Sequence, residues 1–368
     1  MINKKFWQGK KVFLTGHTGF KGTWLSLWLA SMGAEVTGYA LTPSTDPNLY
    51  HLCRLDEMLH SIIGDIRDRK KLTNALITCN PDVVIHMAAQ PLVRTSYIDP
   101  VETYEINTMG TVNILEAVRQ ARQKEVNVQG LIIVTTDKCY ENKEWVWGYR
   151  ESDRLGGYDP YSSSKACTEI ITSAYRNSYF NGQSNEQDAL GVATVRAGNV
   201  IGGGDWSNDR LIPDCIKAML NHQVISIRNP YSIRPWQHVL EPLKGYLMLA
   251  SKLVTEGSAY SGAWNFGSDE ADCKPVRWIV QRISEKWEGE VSYLVKDDPS
   301  AVHEATFLKL DSSKAKSELG WRQTWDLDQS LDRIVEWTKA YEKKENMRLF
   351  SLQQIHDYIS GGDHYNKL

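Results

Sequence analysis

Lys11-Val-Phe-Leu-Thr15-Gly16-His-Thr-Gly19-Phe-Lys-Gly22 decides the fold of this chain. A short run suited to a buried strand enters a turn with glycines spaced three apart. Helical spacing follows, with Trp24, Leu25, Trp28, Leu29 and Met32 on one face and Gly33 as a stop. Glycines here let the chain turn tightly, let a pyrophosphate reach main-chain N–H groups, and let the helix pack close to its strand. The helix N-terminus then faces the negative charge. Glycine triplets arise by chance, so the placement between strand and helix carries the reading. It marks Gly16, Thr18, Gly19, Phe20 and Gly22 as dinucleotide contacts.

Working outward, strand-like and helix-like segments alternate. Strands are expected over 35–41, 61–63, 81–86, 130–135 and 191–197, and helices over 70–78, 102–124 and 160–180. Strands separated by helices imply right-handed crossovers and a parallel sheet covered on both faces. The fold class is α/β, a Rossmann-type doubly wound parallel sheet over residues 1–198. After Asn199-Val-Ile-Gly-Gly-Gly-Asp205 the rhythm breaks into short pieces at 223–228, 264–267 and 290–295. Residues 199–368 read mainly as a smaller, interleaved α/β substrate lobe with C-terminal helices, some later segments returning to the first domain. Leu327 to Lys344 has amphipathic helical spacing, and Gly361-Gly-Asp-His-Tyr365 reads as loosely held.

A net charge of -3 without a basic stripe argues against nucleic acid. No apolar run approaches the roughly 18 residues of a membrane span, and Met1-Ile-Asn-Lys-Lys-Phe-Trp7 lacks the apolar core of a signal peptide. Cysteines 53, 79, 139, 167, 215 and 273 form no CxxC pair, as expected of reduced thiols in a cytoplasmic enzyme, and Cys139 reads as a small buried residue. No His/Cys/carboxylate cluster has metal-ligand spacing. Several of the 13 Trp stand beside Arg, Gly or Pro in apparent loops, where rings can line a ligand site.

Asp65, after the 61–63 strand, is placed to accept from an adenine amino group. No acidic residue ends the second strand, where ribose hydroxyls are commonly held. Thr42 and Ser44 stand there, with no arginine nearby for a 2′-phosphate, which favours NAD over NADP. His17 puts a bulky ring into the turn.

The chemical end begins where Thr136-Asp137-Lys138 closes the apolar run Gly130-Leu-Ile-Ile-Val134. Downstream, Tyr161 and Lys165 share a helix face. An ammonium and a positive nicotinamide ring would favour the phenolate, so this pair suits removal of a hydroxyl proton. Asp137 and Lys138 form a second acid/base pair that plain alcohol oxidation does not need. His86 reads as structural.

These residues, with His86-Met-Ala-Ala89, Asn107, Arg196-Ala-Gly-Asn199, Arg234-Pro-Trp236, Asn265-Phe-Gly267, Ser313-Lys314 and Leu319-Gly-Trp321, resemble the extended short-chain dehydrogenase/reductase family of nucleotide-sugar enzymes. The resemblance covers about residues 10–325. It implies NAD held also by Asp65, Ile66, Ala88, Ala89, Tyr161 and Lys165. It implies Asn199 and Arg234 at the substrate diphosphate, Gln90 near the sugar, and Arg210, Trp206, Gln237 and His303 as neighbours. It further implies a homodimer through the helices at 102–124 and 160–180.

Within that family, Asp137 after Thr136 is similar to the sugar-nucleotide 4,6-dehydratases, whose usual triplet is Thr-Asp-Glu; here Lys138 takes the glutamate position. The surrounding sequence, 144–151 and 156–161, is similar to members acting on CDP-glucose. The implied chemistry is oxidation at C4, loss of water across C5–C6, and hydride return to C6, with no net redox change. Asp137 would be the acid at the C6 hydroxyl. Lys138 is either the base at C5 or a charged stabiliser, paired with Asp137 or Glu141. The competing implications are a dehydratase of another nucleotide-glucose and a 4-epimerase or reductase, which would give Asp137 no evident task.

Overall fold

The computed structural model describes residues 2–182, 189–227, 229–288, 291–295 and 307–364. A seven-stranded, wholly parallel sheet forms its centre. Its members are β1 (Lys11–Thr15), β2 (Glu35–Ala40), β3 (His60–Ile63), β4 (Val83–His86), β5 (Gly130–Val134) and β6 (Gly191–Ala197). The seventh, Gly262–Phe266, joins the edge beside β6, so the spatial order is 3-2-1-4-5-6 followed by this late strand. Residues Val12–Leu14, Val83–Ile85 and Leu131–Ile133 are fully buried. That explains their unbroken apolar runs: a parallel sheet covered on both sides has no wet face to demand alternation.

Helix Phe20–Ser31 packs on one face with Leu240–Glu256, whose apolar side lies over β5 and β6. Arg69–Cys79, Gly110–Gln123 and Pro160–Tyr179 cover the other. Asp68 and Asp159 begin the first and last of these by accepting from main-chain N–H groups at Lys71 and Ser162. The helix expected over 102–124 is interrupted: Pro100–Tyr104 and Gly110–Gln123 flank a π-helical turn, Glu105–Met109. This turn carries Asn107 inward, where its amide donates to the Gln90 carbonyl (3.1 Å) and Ser164 Oγ (2.9 Å).

Beyond β6 come β7 (Asn199–Ile201), β8 (Ile225–Ile227) and β9 (Ile233–His238). The late sheet strand is β10, followed by β11 (Cys273–Pro275) and β12 (Tyr293–Val295). β9 sits between β7 and antiparallel β11, while β8 pairs with β12 in parallel. Residues 228, 290 and 303, named in the sequence reading, lie outside the described residues.

Two expectations need correction. Gly361 to His364 are not a loose end but the last turn of a helix, Met347–His364, in which Ile355 and Tyr358 are buried and Tyr358 stands edge-on to Trp28 at 5.6 Å, while Tyr365 lies outside the described residues. The tryptophans are mostly core, not ligand wall. Trp7, Trp24, Trp28, Trp264, Trp321 and Trp337 are fully buried, and Trp206 packs on Tyr341. Trp337 fits because Gly203 beneath it has no Cβ; one would lie 2.2 Å from the ring.

Candidate active site

In an open parallel sheet the crevice lies at the carboxyl ends of strands where the order reverses, here between β1 and β4. β1 ends at the glycine turn. Gly22 packs on that turn so closely that a Cβ would fall 2.0 Å from the Gly16 carbonyl oxygen, and a Cβ on Gly16 itself would strike Ala88 N at 2.8 Å. Gly19 has room, meeting nothing nearer than 3.5 Å, and as N-cap it supplies no side chain to the first N–H groups of its helix. Main-chain donors thus face an open space at a helix N-terminus, which fits a pyrophosphate.

The other cofactor candidates divide. Thr18 Oγ1 donates to the Leu41 carbonyl at 2.8 Å, tying the turn to the end of β2. Ile66 is buried against Gly110. Ala88 N donates to Thr15 Oγ1 (3.1 Å), and Ala89 follows it in the loop after β4. Asp65 is already engaged by Arg67, which donates from Nη2 at 2.7 Å and holds the carboxyl below its ordinary range. His17 folds inward over Gly38, its Nε2 2.7 Å from Ser61 Oγ, and burial lowers its pKa to about 4.

The second group lies at the ends of β5 and the Pro160–Tyr179 helix. Thr136 caps a single 3-10 turn, Asp137–Cys139. Its hydroxyl donates to Asp137 Oδ1 at 2.9 Å. Asp137 is 1% exposed, yet Oδ2 has no protein partner. A buried acceptor left open costs free energy unless something fills it. Lys138 Nζ stands 3.9 Å from Oδ1. Glu141, the other conceivable partner for Lys138, is engaged by Lys143 at 2.6 Å and Arg154 at 3.3 Å.

Tyr161 is buried, and desolvation pushes its hydroxyl up to about 12, while the Thr136 hydroxyl and Arg210 pull it down. Lys165 donates to the Val134 carbonyl (3.2 Å). Burial first, then the charge of Lys21, lowers Lys165 to about 8.

Lys21 escaped the sequence reading. It lies in the cleft among Asp137, Lys138, Asp205 and Arg210, and desolvation lowers it to about 8. The signal was visible: a charged residue between Phe20 and Gly22, where helix–sheet packing needs none.

Among the substrate candidates, Asn199 opens β7 and pairs in register with Trp236, while buried Arg234 lies on β9. Arg210 donates to Asp205 at 3.1 Å and sits close enough to influence Tyr161 and Lys21. Gln90 is differently employed. Its side chain donates to Thr103 Oγ1 (3.0 Å) and accepts from Leu92 N (2.6 Å), fastening the loop after β4 rather than leaving a free amide for a sugar. His303 lies outside the described residues. His86, bonded to Thr15 Oγ1 at 2.7 Å and lowered to about 3 by burial, is a core histidine, and Cys139 is fully buried. Among the described residues no group of three or more metal-ligating side chains occurs, and no helix is long and apolar enough to cross a membrane.

Glycine turn, sheet order and tyrosine–lysine helix together define an extended short-chain dehydrogenase/reductase architecture. The chain belongs to the GDP-mannose 4,6 dehydratase family, whose profile matches residues 13–334. It is 55% identical over 360 residues to the CDP-glucose 4,6-dehydratase of Salmonella typhimurium, covering 98% of this chain and 99% of that protein. Among solved structures, the dTDP-glucose 4,6-dehydratase of Streptomyces venezuelae with NAD bound superposes with TM-score 0.74 at 22% identity, over 91% of this chain and 98% of the other. The UDP-glucose 4-epimerase of Thermus thermophilus complexed with NAD gives 0.75 at 21%, over 89% and 98%. At such identities these two share the fold.

Proposed function

We propose that this chain is an NAD-dependent hydro-lyase converting CDP-glucose to CDP-4-keto-6-deoxyglucose and water. The observation that carries the reading is the buried Asp137 carboxylate, with one oxygen unpartnered beside Lys138. A 4-epimerase has no step for that group; a dehydratase needs an acid at the leaving hydroxyl. The nearly full-length similarity to the Salmonella enzyme supports cytidine as the base.

The chemistry NAD supplies when bound is storage of the hydride that leaves C4 and its return to C6. Gly16, Gly19, Phe20 and Gly22 hold its pyrophosphate on main-chain N–H groups. Tyr161 takes the C4 hydroxyl proton, and Thr136 orients that hydroxyl. Once C4 is a ketone the C5 hydrogen is acidic, and Lys138 removes it. Asp137, protonated for this step, gives its proton to the C6 hydroxyl, which departs as water; the proton collected by Tyr161 restores it before the next turnover. In the last step Lys138 returns a proton to C5. Arg234 and Asn199 receive the diphosphate, arginine offering a planar fork to phosphate oxygens.

The protein works as a homodimer. Val101 and Met109 on one side and Ile170 and Tyr179 on the other are exposed along the 100–123 and 160–179 helical segments, an apolar surface suited to burial against a second copy. Sedimentation showing only monomer at micromolar concentration would refute this. The 4-keto-6-deoxy product suits deoxysugar synthesis of the kind that serves O-antigen lipopolysaccharide, and a cytoplasmic location accords with that role.

The enzyme is to be incubated with CDP-, dTDP-, GDP- and UDP-glucose and the 4-keto-6-deoxy product followed by its absorbance in alkali. CDP-glucose is expected to be turned over fastest. Preference for another base would overturn the cytidine assignment, and C4 epimers without loss of water would overturn the dehydratase.

A further inference from the structure

Glu169 and Arg196 form a buried ion pair that the catalytic steps above leave without a task. Both side chains are 3% exposed. Glu169 lies one turn beyond Lys165 on the Pro160–Tyr179 helix. Its Oε1 accepts from Thr135 Oγ1 at 2.5 Å and Arg196 Nε at 2.9 Å. Its Oε2 accepts from Thr194 Oγ1 at 2.6 Å and Arg196 Nη2 at 2.8 Å. Arg196 Nη1 donates to the Tyr140 hydroxyl at 2.5 Å, and its guanidinium lies 4.7 Å from the Tyr140 ring centre. The hydroxyl in turn donates to Asn265 Oδ1 at 2.8 Å.

Thr135 and Tyr140 bracket the Thr136-Asp137-Lys138 segment. One guanidinium–carboxylate pair therefore fixes both ends of that segment, and its carboxylate is carried by the helix that bears Tyr161 and Lys165. We infer that Glu169 and Arg196, through Thr135 and Tyr140, are positioning residues that set the dehydrating pair in register with the oxidising pair. Buried ion pairs are seldom a net gain in stability over apolar packing. A fully satisfied polar network does fix a single geometry, and elimination demands it: misplacement by about 1 Å can cost about a hundredfold in rate. Tyr161 and Lys165 are set by their own helix and by the Val134 carbonyl. Loosening the bracket should therefore impair elimination far more than C4 oxidation, which keeps Tyr161 and Lys165 and loses only the orienting hydroxyl of Thr136.

This inference rests on the roles given above to Asp137 and Lys138. The test uses Thr135→Val and Tyr140→Phe, singly and together, in single turnovers of NAD-loaded enzyme with CDP-glucose in deuterated water. C4 oxidation, read as nicotinamide absorbance, is expected to stay within about threefold of the parent rate. Deuterium entry at C5 and product formation are expected to slow by about tenfold or more, with reduced cofactor accumulating. Thr135→Ser, which keeps the hydroxyl, should restore both. Preserved oxidation also reports a folded site; should the double variant not fold, the single Thr135→Val decides. Equal slowing of oxidation and elimination, or unchanged elimination, overturns the inference. Asp137→Asn and Lys138→Ala run alongside: wild-type loss of water in the first, or wild-type C5 exchange in the second, would instead overturn the catalytic assignment itself.

Discussion

Lys138 Nζ lies 3.9 Å from Asp137 Oδ1, while the other Asp137 oxygen, equally buried, meets no protein donor. One oxygen thus accepts from Thr136, with Lys138 beyond hydrogen-bond distance, and the other is open. Lys138 itself is one-third exposed. An acid and an amine side by side are the pair that the proposed elimination across C5–C6 calls for.

Removing the amine should separate the steps. In Lys138→Ala, C4 oxidation is expected to persist while solvent deuterium entry at C5 falls by about 10²–10⁴, the usual contribution of a positioned general base. Mass spectrometry of substrate recovered after partial turnover measures this. Unchanged exchange would place the base elsewhere.

The pH dependence of the first step should follow the surroundings of Tyr161. Desolvation raises this phenol to about 12, and Thr136 and Arg210 oppose the rise. The phenolate is the reactive form, so weakening either group should move the acidic limb of kcat/KM toward higher pH. For Thr136→Val the displacement is expected to be on the order of one unit. A limb displaced toward lower pH would contradict this.

His17 and Gly38 form a pair that should respond together. A Cβ at Gly38 would lie 2.3 Å from the imidazole, which β2 cannot accommodate without shifting. Gly38→Ala is expected to cost about 1–3 kcal/mol by overpacking. His17→Ala in the same chain should recover most of that loss. Denaturant unfolding of the two single variants and the double variant checks it, since additivity would show that the residues do not interact.

Glu241 should give stability a distinctive pH dependence. Fully buried, it accepts from Trp325 N at 2.8 Å, Thr324 N at 3.0 Å and Tyr358 Oη at 2.7 Å, joining the Leu240–Glu256 helix to the C-terminal one. Desolvation raises it from 4.5 to about 7 despite these donors and nearby Lys244. Between those values the folded protein holds a proton that the unfolded chain has released. This contribution is therefore fully present below 4.5 and is lost as pH rises through 7, about 3 kcal/mol in all. Glu241→Gln should flatten the change in Tm over that interval; an unaltered slope would assign it to other groups.

Much of the fold was legible in local pattern. The Lys11–Gly22 stretch, the alternating segments and the order of motifs pointed to a doubly wound sheet because glycine turns and apolar runs leave one-dimensional traces. The C-terminal helix Met347–His364 left a weak trace: Tyr358 meets Trp28 and Glu241, far away in sequence, and its glycines at 361 and 362 suggested fraying. The tryptophans misled for a related reason, since flanking Arg, Gly and Pro describe a ring's neighbours in the chain and not those in space.

By itself the sequence determined which chemistries were available: a glycine turn for a pyrophosphate, Tyr161 with Lys165 on one helical face, and Asp137 with Lys138 at a strand end. Helical and strand periodicities fix such neighbours without reference to the rest of the molecule. Only the tertiary structure decided how those groups are tuned and which are already spent. It placed Lys21 beside Lys165 and Asp137, committed Asp65 to Arg67 and Gln90 to its own loop, and left Asp137 Oδ2 open. Those outcomes depend on burial and on partners distant in the chain, because desolvation and hydrogen-bond saturation are properties of a filled volume and not of a linear pattern.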